Sequence, residues 1–225
     1  MKTLQRTILL AALVAFLDAP SGSRAADEYK PELFKSVKLI YEDQFEKDGP
    51  HKNTKQWEIR QQTQWNVKDG VLTGGLATDE YQRKMQAIGD GHDGTRTVIW
   101  LRPVPKAFVV QMRVRYNETK KKGRNRGSLL DLGHHVNSFI FDEDQTKLTL
   151  QKKKKIFIKD NFFPLNKWND VTIEIKEGII VIRVNDRQEI IRNSLITLKT
   201  DREAQQIDFK GQDFGSVQID WIRLY

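Results

Sequence analysis

The chain has 225 residues, with 38 lysines and arginines against 30 aspartates and glutamates, a formal charge of +8, and no cysteine. Without cysteine there is no disulfide, no thiolate metal centre, no cysteine nucleophile and no cysteine lipidation. Past residue 25 no segment is apolar enough to span a bilayer, and about 200 residues can supply the core of one β domain.

The N-terminus carries Lys2 and Arg6, then an apolar run from Thr7 to Leu17, then Ser23-Arg24-Ala25. The run is about 11 residues against the roughly 20 that a membrane span needs. The small residues at Ser23 and Ala25 suit a signal peptidase, so residues 1–25 read as a signal peptide cut after Ala25. That places the mature chain in the periplasm or outside the cell, with a charge of about +6 once the leader's ionisable residues are gone. Residues 26–36 read as an N-terminal tether and 37–225 as a single β domain.

Val37 to Phe45 and Trp57 to Ile59 are the first predicted strands. Trp65 to Leu72 reads as a hairpin with Asp69-Gly70 as its two-residue turn. Residues 77–95, with Gly89, Gly91 and Gly94, read as a long loop. Thr97 to Leu101 is a strand, and Arg102-Pro103-Val104-Pro105 a linker in which proline forbids ladder pairing. Ala107 to Tyr116 is the longest strand, with Phe108, Val110, Met112, Val114 and Tyr116 on one face.

Ser128 to Leu132, Asn137 to Phe141, Leu148 to Leu150 and Ile156 to Ile158 follow with the same period of two. Val171 to Lys176, Ile179 to Val184 and Arg187 to Arg192 form a train of strands joined by turns at Glu177-Gly178 and Asn185-Asp186. Gln205 to Phe209 and Ser216 to Leu224 close the chain. In the last strand Val217, Ile219 and Trp221 share a face while Ile222 and Leu224 fall on the other, which predicts a bulge or burial on both faces. No helical period is sustained. The fold class is all-β: a two-sheet antiparallel β-sandwich.

Several phrases carry a resemblance. Trp57 precedes Trp65-Asn66-Val67-Lys68-Asp69-Gly70-Val71-Leu72, a long strand ends in alternating Arg113 and Arg115, and Trp168-Asn169-Asp170-Val171-Thr172-Ile173 leads to Gly178 and Ile180-Val181-Ile182-Arg183-Val184-Asn185. In this order they resemble the concanavalin A-like lectin/glucanase superfamily, with the DUF1080, or 3-keto-disaccharide hydrolase, domain family as the closest match. The resemblance implies a jelly-roll sandwich and a sugar-related role, with hydrolysis of an oxidised disaccharide as its enzymatic form. The chain departs from that pattern in mid-sequence. It has neither the G-x-E-x-Q-like strand of such relatives nor the E-x-D-x-x-E spacing that sets two carboxylates on one strand face in related glucanases.

The candidate chemistry is therefore carbohydrate binding on a concave face or rim, with glycoside hydrolysis and a non-catalytic envelope scaffold as alternatives. Hydrolysis needs two carboxylates across a cleft. Asp142, with Asp131 on a neighbouring strand and His135 beside them, is the candidate catalytic set. A plain turn is the preferred reading of Asp142-Glu143-Asp144-Gln145, since aspartate dominates turns. His134 and His135, adjacent on a strand, would face opposite ways. Arg113, Arg115, Arg124 and Arg126, with Trp100, are candidate carbohydrate-binding residues, the arginines suiting an acidic sugar.

Trp65, Trp168 and Trp221 are expected in the core, and the same reading is preferred for Trp57 and Trp100. Asp90-Gly91-His92-Asp93-Gly94 has some character of a calcium loop without the full ligand pattern. No cofactor is otherwise indicated. The basic clusters Lys120-Lys121-Lys122 and Lys152 to Lys155 suit an anionic polysaccharide or membrane surface, or a solvated loop and strand end. The export signal argues against nucleic acid.

Overall fold

A computed structural model describes residues 29–88, 94–117, 128–142, 145–158, 161–198, 204–211 and 216–225. Its elements in chain order are β1 (Tyr41–Asp43), β2 (Gly49–Pro50), β3 (Trp57–Ile59), β4 (Gln64–Lys68), β5 (Val71–Gly75), helix α1 (Asp79–Ala87), β6 (Thr95–Leu101), β7 (Ala107–Asn117) and β8 (Ser128–Leu132). They continue as β9 (Asn137–Phe141), β10 (Thr146–Leu150), β11 (Lys154–Ile158), β12 (Asn169–Lys176), β13 (Ile179–Val184), β14 (Arg187–Arg192), β15 (Gln205–Gly211) and β16 (Ser216–Leu224).

Two sheets result, and every strand pairing among the described residues is antiparallel. Sheet A runs β14-β13-β12-β7-β16-β5-β4-β2, with β1 also on β16. Sheet B runs β11-β10-β9-β8-β15-β6-β3. Period-two alternation sends one set of side chains from each strand into the space between the sheets. From β7 these are Phe108, Val110, Met112, Val114 and Tyr116, and from sheet B Leu130, Leu132, Phe139, Phe141, Ile207 and Phe209, all buried. Each large apolar side chain so buried contributes about 1.5–3 kcal/mol, so the core supplies the stability that a domain without disulfides requires. The fold is a jelly-roll β-sandwich, with one short helix among the described residues.

The turns form where the residues allow positive φ. Asp69 (φ 51°) and Gly70 (φ 75°) make the hairpin between β4 and β5, and Gly178 (φ 80°) the one between β12 and β13. In β16 the register shifts between Ile219 and Trp221. The bulge returns Ile222 and Leu224 to the face of Val217 and Ile219, so all four are buried, and it turns Trp221 to the outside. Trp168 is likewise outside the core and half-buried.

Three other expectations change. Residues 79–87 are helical, not looped: Thr78 accepts from the N–H of Tyr81 through its hydroxyl and from Gln82 through its carbonyl. Asp79 and Glu80 in the first turn and Lys84 in the last suit the helix dipole. Nine residues are too few for a visible helical period. The first strand is shorter than predicted, because Phe45 (φ 51°) ends the extended run. Within the segment read as a tether, the N–H groups of Glu32 and Leu33 donate to the two carboxylate oxygens of buried Glu174 at 2.9 and 2.7 Å, which fixes that stretch to the outer face of sheet A.

The contact between β4 and β5 gives a first test. A Cβ on Gly74 would lie 2.8 Å from Cη2 and Cζ2 of Trp65. That ring is buried, and its Nε1 donates to Thr63 Oγ1 at 3.0 Å and the Arg96 carbonyl at 3.2 Å, so it has no room to retreat. Gly74→Ala is expected to cost about 1–3 kcal/mol, the usual toll of overpacking. Urea unfolding measures it, and an unchanged midpoint would refute the packing described.

Candidate functional site

The outward side chains of sheet B are unusually polar and unusually buried. Cross-strand register sets them in rows. Lys155 lies opposite Thr149, Thr149 opposite Ser138, Ser138 opposite Asp131, Asp131 opposite Asp208, Asp208 opposite Val98, and Val98 opposite Glu58. A parallel row runs Phe157, Lys147, Ile140, Leu129, Lys210 and Arg96. Both rows run through the middle of the sheet, where Arg96, Asp131, Ser138, Gln206, Asp208 and Lys210 are all buried.

The centre is a charged network. Arg96 clamps Asp208 with Nε at 3.0 Å from each carboxylate oxygen and Nη2 at 2.5 Å from Oδ2. Gln206 Nε2 donates to the same Oδ2 at 2.9 Å. Lys210 Nζ lies 3.1 Å from Asp208 and 3.8 Å from Asp131. Asp131 accepts from the His135 backbone N–H and the Ser138 hydroxyl, both at 2.9 Å. The His135 ring stands 3.7 Å from the same carboxylate.

These environments drive the two carboxyls apart. Burial pushes Asp131 up to about 6, with Asp208 adding to the push and Lys210 opposing it. Burial also raises Asp208, but the combined attraction of Lys210 and Arg96 wins and holds it below the ordinary value. Burial pulls the His135 imidazole down to about 4, helped by His134 and Lys210. Near pH 5 the site therefore holds a protonated Asp131, an ionised Asp208 and a neutral His135. A carboxyl pair split this way has the separated acid and anion roles of acid–base sites. As directly opposed strand residues, the two have Cβ atoms about 5 Å apart.

Two buried polar atoms on this face, Thr149 Oγ1 and Gln206 Oε1, have no hydrogen-bond partner among the described residues. Buried polar atoms are ordinarily satisfied, so these two enclosed atoms are exceptions on this face. Among the described residues no three His, Asp or Glu side chains are grouped to hold a metal ion.

The structure brings Asp131 and His135 together. The latter sits in the turn at residues 133–136 with φ 63°, not on a strand, so the His134 and His135 rings lie side by side at 4.2 Å instead of facing apart. Asp142 is not with them. It follows β9 about 13 Å along the strand from Ser138, pairs with Lys147 at 2.8 Å, and bonds through its N–H to Gln145 as a plain turn residue.

Trp100 is buried on the outer face of sheet B beside Gln206, its Nε1 donating to Glu58 at 2.8 Å and Arg102 lying over its ring at 5.2 Å. Arg113 and Arg115 are on the other sheet. They flank Trp168 at 5.8 and 4.9 Å; Arg113 faces Asp220 at 3.7 Å and Arg115 donates to Gln218 at 2.7 Å. The expected carbohydrate set is thus divided between opposite faces. Arg124, Arg126 and the segment from Asp90 to Asp93 lie outside the described residues, as do residues 1–28.

Sequence reasoning missed Arg96, Gln206, Asp208 and Lys210. One signal was available: Gln206, Asp208 and Lys210 alternate with Ile207 and Phe209, so three polar groups share the outward face of one strand. A cavity of about 470 Å³ lined by Glu42, Asp43, Gln44, Phe45, Glu46, Lys47, His51 and Val67 lies elsewhere. Asp43 there is occupied by Tyr41, Trp57 and the Phe45 N–H.

The two-sheet sandwich is shared with solved glycosyl hydrolase structures. The chain is similar to a family 16 glycosyl hydrolase protein from Mycobacterium smegmatis (TM-score 0.52, 10% identity, 84% of this chain and 100% of that one). It is also similar to the GlcNAcα1-4Gal-releasing endo-β-galactosidase of Clostridium perfringens (0.56, 10%, 88% and 65%) and to LamAcat of Zobellia galactanivorans (0.50, 11%, 83% and 97%). No protein-family model matches the chain, and no curated protein matches it in sequence. Among the described residues no helix is long and apolar enough to cross a membrane.

Proposed function

We propose that the chain is an exported carbohydrate-binding domain whose ligand lies on the outer face of sheet B. The observation that carries this reading is the row from Thr149 through Ser138, Asp131 and Asp208, in which buried polar groups crowd one sheet face and Thr149 Oγ1 and, on β15, Gln206 Oε1 have no hydrogen-bond partner among the described residues. Sugars offer a hydroxyl at nearly every ring carbon and suit such a face. With Asp131 protonated, Arg96 and Lys210 outnumber Asp208 and the centre carries one excess positive charge. That favours an acidic or oxidised saccharide. The likeness in fold to glycoside-cleaving enzymes supports a sugar ligand.

The second reading is hydrolysis, in the manner of the 3-keto-disaccharide hydrolase family that the sequence resembles. It is favoured by Asp131, a buried acid raised to about 6 beside a neutral imidazole. In that reading Asp131 protonates the leaving oxygen as the glycosidic C–O bond breaks, and Asp208, held by Arg96, Gln206 and Lys210, stabilises positive charge on the sugar ring. A water molecule adds to the anomeric carbon and returns a proton to Asp131. An envelope scaffold remains the reading if no saccharide binds.

The experiment is a saccharide panel that includes a 3-keto-glucoside, run on the parent chain and Asp131→Asn. The parent is expected to bind at least one saccharide, and Asp131→Asn to weaken it. If turnover is seen, loss of the general acid is expected to slow it about 10²-fold or more. Absence of any saccharide binding removes both sugar readings. Turnover equal in parent and variant removes Asp131 as the acid.

A further inference from the structure

We infer that the free edge of sheet B is a binding strip for the anionic part of a polyanionic glycan, continuous with the central site. The inference rests on the reading of the outer face as a glycan site and adds what kind of glycan it takes. Strand β11 is the edge strand. Its Ile156 and Ile158 turn toward the core, so Lys155 and Phe157 point outward. Phe157 is 68% exposed, the most open large apolar side chain among the described residues. Lys152, Lys153, Lys154 and Lys155 are all exposed and make no ion pair among the described residues.

Lysines alone on an edge strand need no ligand, because they keep other strands from pairing there. Phe157 does not fit that account, since an exposed aromatic on an edge invites the aggregation that lysines prevent. An aromatic face bordered by unpaired cations is instead suited to an acidic sugar. The ring's C–H face packs on the phenyl group, and its carboxylate or sulfate meets the ammonium.

Register links this edge to the centre. Lys155 is opposite Thr149, whose buried hydroxyl has no partner among the described residues, and Thr149 is opposite Ser138, which bonds Asp131. The strip from β11 to β8 crosses three strand spacings, about 14 Å. A single chain of sugar residues laid across the strands would therefore meet Phe157 and Lys155 before reaching Asp131.

The test is affinity electrophoresis of the full chain in heparin, polygalacturonate and dextran, with binding of a short neutral oligosaccharide measured in parallel. The proteins are the parent, Lys155→Gln/Phe157→Ala and Asp131→Asn. The parent is expected to be retarded by the acidic polymers and not by dextran. The edge variant is expected to lose about tenfold in affinity, and retardation to weaken as salt rises from about 50 to about 500 mM. Retardation equal in the edge variant and the parent overturns the proposal, as does preference for anionic phospholipid vesicles over both acidic polymers. A neutral oligosaccharide bound in an Asp131-sensitive way without acidic retardation overturns the proposal and leaves the central site standing. Acidic retardation lost in the edge variant, with no Asp131-sensitive binding of any sugar, upholds the strip and removes the central reading.

Discussion

Asp208→Asn is expected to destabilise the fold by about 3–5 kcal/mol, the toll of leaving a buried charge without its partner. The carboxylate is fully buried and is the common partner of Arg96 and Lys210, themselves buried at 3% and 5% exposure. The amide keeps the shape and removes the charge, so two cations stay in a poorly solvated place. For a chain of this size the loss corresponds to a fall in Tm of roughly 10 °C, read by thermal or urea unfolding. A change under about 1 kcal/mol would show that water reaches the network freely. Replacing Arg96, Asp208 and Lys210 together by apolar residues of like volume is expected to recover much of the loss. If the triple variant is stable and no longer binds sugar, the network serves function and not the fold.

Asp131→Asn should change how stability depends on pH. The folded Asp131 carboxyl titrates near 6, above its ordinary 3.8, so the folded state keeps a proton that the unfolded chain releases between those values. The stabilisation from that proton is complete below about 4 and is lost as pH rises through 6, about 3 kcal/mol in all. His135 acts in the opposite sense. Its folded value lies near 4, below 6.5, so its contribution is present above 6.5 and is lost as pH falls through 4. The two slopes oppose each other in the parent. The asparagine variant keeps only the histidine slope, so its stability relative to the parent is expected to rise by about 3 kcal/mol from pH 4 to 7. Urea unfolding at several pH values measures this, and parallel curves for the two proteins would mean that Asp131 titrates as an ordinary exposed carboxyl.

The strands could be read from the chain because alternation is a local property. Phe108 to Tyr116 in β7 and Val171 to Ile175 in β12 announce their core faces without reference to any partner. Asp69-Gly70 and Glu177-Gly178 announce their turns because positive φ restricts the residues that fit. Helix α1 was hidden for the converse reason: nine residues give too few turns for the period to show. The switch of face in the last strand signalled a bulge or two buried faces, but not where a bulge would fall, and its position between Ile219 and Trp221 is what turns Trp221 outward.

The site is a matter of which strands become neighbours, and that is set by long-range packing. Asp131 and His135 could be picked out, but Arg96, Asp208 and Lys210 could not, because β8 meets β15 and β15 meets β6 only once the sandwich closes. Arg113 and Trp100 are near in sequence yet lie on opposite sheets, since the chain crosses from β6 in one layer to β7 in the other between them. By itself the sequence determined that this protein is a sandwich of alternating strands with a basic, cysteine-free surface, because side-chain periodicity and composition are carried by each segment alone. Only the tertiary structure decided that Arg96, Asp131, Asp208 and Lys210 share one buried cluster with separated carboxyl pKa values, because burial and charge proximity arise between strands that the chain brings together from distant positions.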